Sequence, residues 1–133
     1  MNSKPDLFVT NFNPRFTGVS STIASVFKIQ KNQMNASLVG NPLNGCPSPV
    51  KKRAALSLSK NKPDGKPFYI WHVRRNSEMQ LAIIARDVLR YPIKIVFTSA
   101  AQRRHSAWPR WLISKMDAII ATSKEAASYV SNV

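Results

Sequence analysis

The stretch Phe68-Tyr69-Ile70-Trp71-His72-Val73, followed by Arg74-Arg75-Asn76 and then by Ser77 through Arg90, decides the fold. Six consecutive residues, five apolar or aromatic and one histidine, read as a strand covered on both faces. Ser77 and Gln80 match a capping box, in which two side chains satisfy free amides at a helix start. Leu81, Ile84, Ala85, Val88 and Leu89 then recur at helical spacing, while Arg86, Asp87 and Arg90 supply a polar side. A buried strand, a basic turn and an amphipathic helix thus follow one another without a gap. His72, Arg74, Arg75 and Asn76 fall where the strand ends and the helix begins. In open α/β sheets, ligands bind outside that carboxyl edge.

Outward from this stretch the same alternation continues. Leu7-Phe8-Val9 is a strand, and the loop Asn11–Gly18 leads to a helix that Ser20, Ser21 or Thr22 can cap and that reaches about Lys31. Ala36–Val39 is a second strand. Gly40 to Gly65 is irregular and proline-rich, with a short helix near Ala54–Ser59. After Pro92, Ile93–Phe97 is a strand, Thr98–Ser106 a polar loop and Pro109–Met116 a helix, with proline favoured in the first turn. Ala118–Ala121 and Lys124–Val130 complete the series as strand and helix. This order predicts an α/β fold: a Rossmann-like parallel sheet with helices on both faces and right-handed crossovers. The expected sheet has the Leu7–Thr10 strand at its centre. Ala36–Val39 and Phe68–Val73 lie on one side of it, Ile93–Phe97 and Ala118–Ala121 on the other.

Composition bounds the partners. The chain has 133 residues, enough for a single domain, and 44% of them are hydrophobic, enough for a core. Twenty Lys and Arg against six Asp and Glu give a formal charge of +14, which points to anionic partners. The single cysteine, Cys46, excludes an internal disulfide and a cysteine metal cluster, in keeping with a reducing compartment. The first apolar run is too short for a secretory signal. No segment reaches the ~18 apolar residues of a membrane span.

The chemistry gathers at one predicted sheet edge. The loops Asn11–Gly18, His72–Asn76 and Thr98–Ser106 each leave a strand and enter a helix. Together they bring Arg15, Arg74, Arg75, Arg103 and Arg104 toward one rim, with Gly18, Asn76 and Ser99 beside them. Arginine forks suit phosphate and carboxylate oxygens, and helix N-termini add free amides. The plain alternative for any arginine pair is solvated surface charge. Neither Gly-x-Gly-x-x-Gly nor a Walker lysine motif is present, which excludes the dinucleotide and P-loop readings. No Asp-x-Asp pair offers a metal-bound diphosphate site. His72 and His105 can each position a hydroxyl or shuttle a proton. His72 divides evenly between a ligand contact and a hydrogen-bonded structural role, and the structural role suits His105 better. Trp71 reads as core, while Trp108 and Trp111 can stack on rings.

Val9 through Thr22, Ile70 through Met79, Phe97 through Ala107 and Met116 through Ser123 resemble lipopolysaccharide core mannosyltransferases, retaining GT-B glycosyltransferases. The likeness spans nearly the whole chain outside Gly40–Gly65. It implies that residues 1–133 form one Rossmann-like, acceptor-side domain, and that the C-terminal nucleotide-sugar domain is absent. It further implies GDP-mannose as donor of the complete enzyme with no bound cofactor, and an anionic lipopolysaccharide core as acceptor. A cytoplasmic location follows, with peripheral contact at the inner membrane and a separately encoded C-terminal half as a partner. By position, Gly18 approaches the donor phosphates or the acceptor, and Arg15 and the paired arginines line the acceptor cleft. Many members carry His-x-His where this chain has His72-Val73-Arg74, so an arginine replaces the second histidine. Two other readings stand beside this one. The first is a basic nucleic-acid-binding module using Lys51-Lys52-Arg53 and the tryptophans, although no helix-turn-helix, zinc-finger or RNA-recognition signature is visible. The second is a truncated gene product without activity.

Overall fold

The structure, a computed structural model, describes residues 5–63, 65–99 and 105–131. Its strands are β1 (Leu7–Asn11), β2 (Ala36–Gly40), β3 (Tyr69–Val73), β4 (Ile93–Ser99) and β5 (Ala118–Ala121). Its helices are α1 (Gly18–Gln33), α2 (Lys52–Leu58), α3 (Asn76–Ile83), α4 (Ala107–Ser114) and α5 (Lys124–Val130). Strand and helix alternate throughout, as expected, and every strand pair is parallel.

The strand order is β2-β1-β3-β4-β5, which corrects the expected placement of β1 at the centre. β3 is central, and β1 lies between β2 and β3. Burial explains the order. Tyr69, Trp71 and Val73 are all buried, and so aromatic a strand gains most where neighbours cover both its edges and both its faces. The chain runs from β1 outward to β2, returns past β1 to β3, and then steps outward to β4 and β5. Its connections therefore diverge between β1 and β3, the switch point at which doubly wound sheets bind ligands.

Side chains alternate across the sheet. On one face Leu7, Val9 and Leu38 pack with Ile23 and Phe27 of α1 and with Leu43. On the other, Phe8, Trp71, Val73 and Ile95 meet Met79, Ala82, Leu112 and Ile113 from α3 and α4. The Trp71 indole donates to Ser59 Oγ at 3.0 Å, so this buried ring leaves no N–H unpaired.

Both predicted caps shift. α1 begins at Thr17, whose hydroxyl accepts from the Ser20 amide while the Ser20 hydroxyl accepts from the Thr17 amide. Ser20 is thus the third helical residue rather than the cap. α3 starts before Ser77, because Glu78 and not Gln80 binds the free amides. A charged acceptor makes the stronger bonds. One π-helical turn, Ile84–Val88, prolongs α3. Arg90 then adopts a left-handed φ of 58° before Pro92. α4 begins at Ala107, two residues before the proline expected to open it.

At the end of β2 the backbone of Gly40 lies against Asn11. A Cβ there would stand 2.5 Å from the Asn11 carbonyl oxygen, and φ is +106°. Gly40→Ala is expected to cost about 1–3 kcal/mol through strain and clash, read as a lower urea midpoint at unchanged m-value.

Candidate functional site

Where β1 and β3 part, a buried carboxylate ties their loops together. Glu78 is 0% exposed. Its Oε1 accepts from the backbone amides of Arg74 (2.9 Å) and Arg75 (3.2 Å). Its Oε2 accepts from the amide of Phe12 at 3.0 Å and from Arg75 Nη1 at 3.0 Å. Arg75 also donates to Asn11 Oδ1 at 2.9 Å and to Ser20 Oγ at 3.1 Å. One ion pair thus joins the end of β1, the start of α1 and the start of α3. Both terminal nitrogens of Arg75 are thus bonded within the protein.

Arg74 takes the opposite course. It lines an open cavity of about 550 Å³ at the carboxyl edge of the sheet, with Val19 and Thr22 of α1, Asn76, and Phe97, Thr98 and Ser99 of β4. His105 and Thr122 complete the described wall. Nε and Nη1 of Arg74 and Oγ of Ser99 are buried and have no hydrogen-bond partner among the described residues. Leaving a buried donor unmade costs about 1–3 kcal/mol, and more for a charged group. Burial, offset in part by Glu78 and reinforced by Arg75, lowers the Arg74 pKa below the usual guanidinium range to about 10. The guanidinium therefore stays charged at neutral pH.

His72 lies beneath this cavity, 4% exposed. Its Nδ1 is 3.1 Å from Gln30 Nε2, and its Nε2 is 2.6 Å from Thr98 Oγ1. Desolvation first, and the Arg74 charge second, lower its pKa from 6.5 to about 4. The imidazole is therefore neutral at pH 7. With the Gln30 amide donating to Nδ1, the remaining ring proton sits on Nε2 and faces the Thr98 hydroxyl; with that amide turned over, it sits on Nδ1. His72 reaches the cavity through Thr98, which lines it.

The other candidate residues separate. Gly18 opens α1 and is exposed, and a Cβ there would meet nothing within 4 Å. Arg15 is exposed, with its backbone amide bonded to Asn13 Oδ1. Arg103 and Arg104 lie outside the described residues. Of the rest, the fold gathers Arg74, Asn76 and Ser99 on one cavity wall, and places Arg75, His72, Arg15 and Gly18 elsewhere around it. Trp108 and Trp111 stack on the outside of α4 with ring centroids 5.3 Å apart. Asp6 and Asp117 are at the opposite sheet edge, bonded to Lys66 and to Arg86.

The sequence places Glu78 near the reactive sheet edge and Thr98 at the start of a loop there, but gives neither a role. The only sequence signal for Glu78 is an acid three residues after the last residue before the helix. Arg75 occupies the cap position without a capping hydroxyl, which hides that pattern.

A five-stranded parallel sheet flanked by helices defines a Rossmann-like domain, here with a cavity lined by Arg74 at its carboxyl edge. Comparison with known proteins narrows the class, although no family model matches the chain. The lipopolysaccharide core biosynthesis mannosyltransferase LpsB of Rhizobium meliloti (strain 1021) is 44% identical over 127 residues, which are 94% of this chain and 36% of that protein. The mannosyltransferase LpcC of Rhizobium leguminosarum bv. viciae, also of lipopolysaccharide core biosynthesis, is 39% identical over 126 residues, again 94% and 36%. The chain therefore resembles core mannosyltransferases along nearly all its length and spans about a third of theirs. The receiver domain of the histidine kinase CKI1 from Arabidopsis thaliana aligns over 99% of this chain and 88% of its own, at a TM-score of 0.45 and 16% identity.

Proposed function

We propose that the chain is the acceptor-side domain of a lipopolysaccharide core mannosyltransferase, taking mannose from GDP-mannose. The observation that carries this reading is 44% identity across 94% of the chain to a protein of that name. The same observation favours it over a nucleic-acid-binding module. The cavity supports it independently, since it lies outside the carboxyl edge, where a second domain could close over it.

In this reading the acceptor hydroxyl attacks the anomeric carbon of the donor. The bond from that carbon to the GDP oxygen breaks, and the hydroxyl proton leaves with the departing diphosphate. This chain binds and orients the acceptor. Arg74, Asn76 and Ser99 hold it from the cavity wall. The first amides of α1, at Gly18, approach the donor phosphates, with Arg15 at the outer margin. Arg75 sets the loop from within. His72 is a positioning residue that fixes the Thr98 hydroxyl. The donor half of the cleft, with its nucleotide-sugar domain, comes from a further domain or a separate chain. Among the described residues no helix is long and apolar enough to cross a membrane. Peripheral contact with the cytoplasmic face of the inner membrane is part of the proposal, drawing on the +14 charge.

The test is a chimera in which this chain replaces the matching span of the Rhizobium meliloti relative. The chimera should transfer mannose from GDP-mannose to core acceptor, while the 133-residue chain alone should give no steady-state turnover. An inactive but folded chimera, or turnover by the isolated chain, would count against the assignment. Gly18→Ala sharpens the test. The new methyl meets open space, and alanine suits a helix better than glycine by about 0.8–1 kcal/mol in its interior, so stability should hold or rise. Transfer by the chimera should nevertheless fall about tenfold, because the methyl occupies the ligand's approach. Unchanged transfer would remove Gly18 from the site.

A further inference from the structure

We infer that the cavity beside Arg74 is a site for a single oxyanion, a terminal phosphate or a carboxylate, gripped by the Arg74 guanidinium and the Ser99 hydroxyl. The inference deepens the transferase reading, because it names the chemical group by which the acceptor is held.

Four observations converge. First, the cavity has room for a sugar-sized ligand, at about 550 Å³. Second, Arg74 brings a half-buried guanidinium to its wall, whose buried Nε and Nη1 have no partner among the described residues, whereas Nη1 and Nη2 of the adjacent Arg75 are bonded within the protein. Buried polar groups in folded proteins are almost always bonded, so an orphaned cation beside a cavity marks a missing acceptor. Third, Ser99 Oγ on the same wall also has no partner among the described residues, in a residue only 2% exposed. A guanidinium edge and a hydroxyl donor together complement the several lone pairs of one oxyanion. Fourth, the cavity has a polar frame with no opposing carboxylate. Its described lining comprises Arg74, Asn76, two serine or threonine hydroxyls from β4, two further threonines, a histidine and two apolar side chains. The nearest acid, Glu78, is turned away and saturated by three backbone amides and Arg75.

Among the described residues, the number of charges favours a single oxyanion over a diphosphate. Arg74 is the one arginine or lysine in the described lining, because Arg75 is drawn into the Glu78 pair. One fork matches one terminal oxyanion. A diphosphate spreads its charge over two centres and would call for a second cation.

The test uses the 133-residue chain with isotope-labelled arginine side chains and inorganic phosphate as probe, at ionic strength held constant with chloride. Phosphate should produce a saturable shift of the Arg74 Nε–H signal and of the Ser99 amide. Arg74→Lys keeps the charge but loses the planar fork, and should weaken binding at least tenfold. Ser99→Ala, which removes only the hydroxyl, should weaken it several-fold and covers the case in which the lysine variant does not fold. The double variant Lys51→Ala/Lys52→Ala should bind as the parent does. Parallel titrations with acetate and GDP distinguish the sources. Binding of acetate comparable with phosphate indicates a carboxylate group, and preference for phosphate indicates a phosphate ester. GDP binding more tightly than phosphate, and losing that advantage in Arg74→Lys, would overturn the single-oxyanion assignment. So would unsaturable shifts spread over exposed lysines and arginines, or affinity unchanged from the parent in both Arg74→Lys and Ser99→Ala. Because transfer is not measured, an inactive chimera would defeat the transferase reading and leave this result standing, and the reverse also holds.

Discussion

Glu78→Ala should cost about 3–5 kcal/mol, the range for breaking a buried ion pair by removing one partner. The carboxylate is fully enclosed, and its two oxygens accept four bonds. Truncation strands the amides of Phe12, Arg74 and Arg75 and leaves the Arg75 guanidinium without its counter-charge. Each loss falls where β1 and β3 diverge, so no neighbouring helix turn can substitute. Against a total stability of roughly 5–15 kcal/mol for a domain, such a loss takes a large share. Urea unfolding should show a sharply lower midpoint. Glu78→Gln, which keeps one acceptor oxygen, should fall between parent and alanine variant. In a double-mutant cycle Arg75→Ala should cost far less in the Glu78→Ala background than alone, because the two residues form one unit. A loss below about 1 kcal/mol for Glu78→Ala, within the range of surface pairs, would show that water replaces the carboxylate. The loops would then owe their position to something else.

The element series was legible because its signals are local. The Phe68–Val73 run, the helical spacing from Leu81 to Leu89 and the stop at Pro92 each appear within a dozen residues. Strand order was not legible, since no local pattern states which edge of β1 receives β3. The separate fates of Arg74 and Arg75 were hidden for a related reason. Adjacent arginines look alike in sequence, and only the position of Glu78, four residues beyond one and three beyond the other, decides which side chain is drawn inward. For His72, the sequence places it at a strand end beside a ligand edge. Gln30 and Thr98, 42 and 26 residues away, are what enclose it. Contacts at such separations depend on the tertiary fold, and pattern reading does not reach them.

Acid should destabilise this protein through His72. Its folded pKa of about 4 lies below the ordinary 6.5, so between those values the unfolded chain binds the proton and the folded chain does not. Stability therefore rises with pH across this window and falls as pH is lowered from 6.5 toward 4. Each pKa unit is worth 1.36 kcal/mol, which makes the penalty on the order of 3 kcal/mol once pH is below both values. The cause is physical enclosure. A protonated ring would put Nδ1–H against the Gln30 amide donor and a positive charge beside Arg74. Turning the Gln30 amide over would supply an acceptor, since its Oε1 has no other partner among the described residues. It would relieve neither burial nor the arginine's repulsion. Urea unfolding of the parent and of His72→Gln at pH 7.5, 6.5, 5.5 and 4.5 isolates the effect, because carboxylate titrations are common to both. The variant is expected to start less stable at pH 7.5, having lost the fitted imidazole. The difference between the two should narrow as pH falls through the window, with a slope approaching one proton. Parallel pH profiles would show that His72 titrates alike in the folded and unfolded chains, and would remove the neutral ring from beneath the cavity.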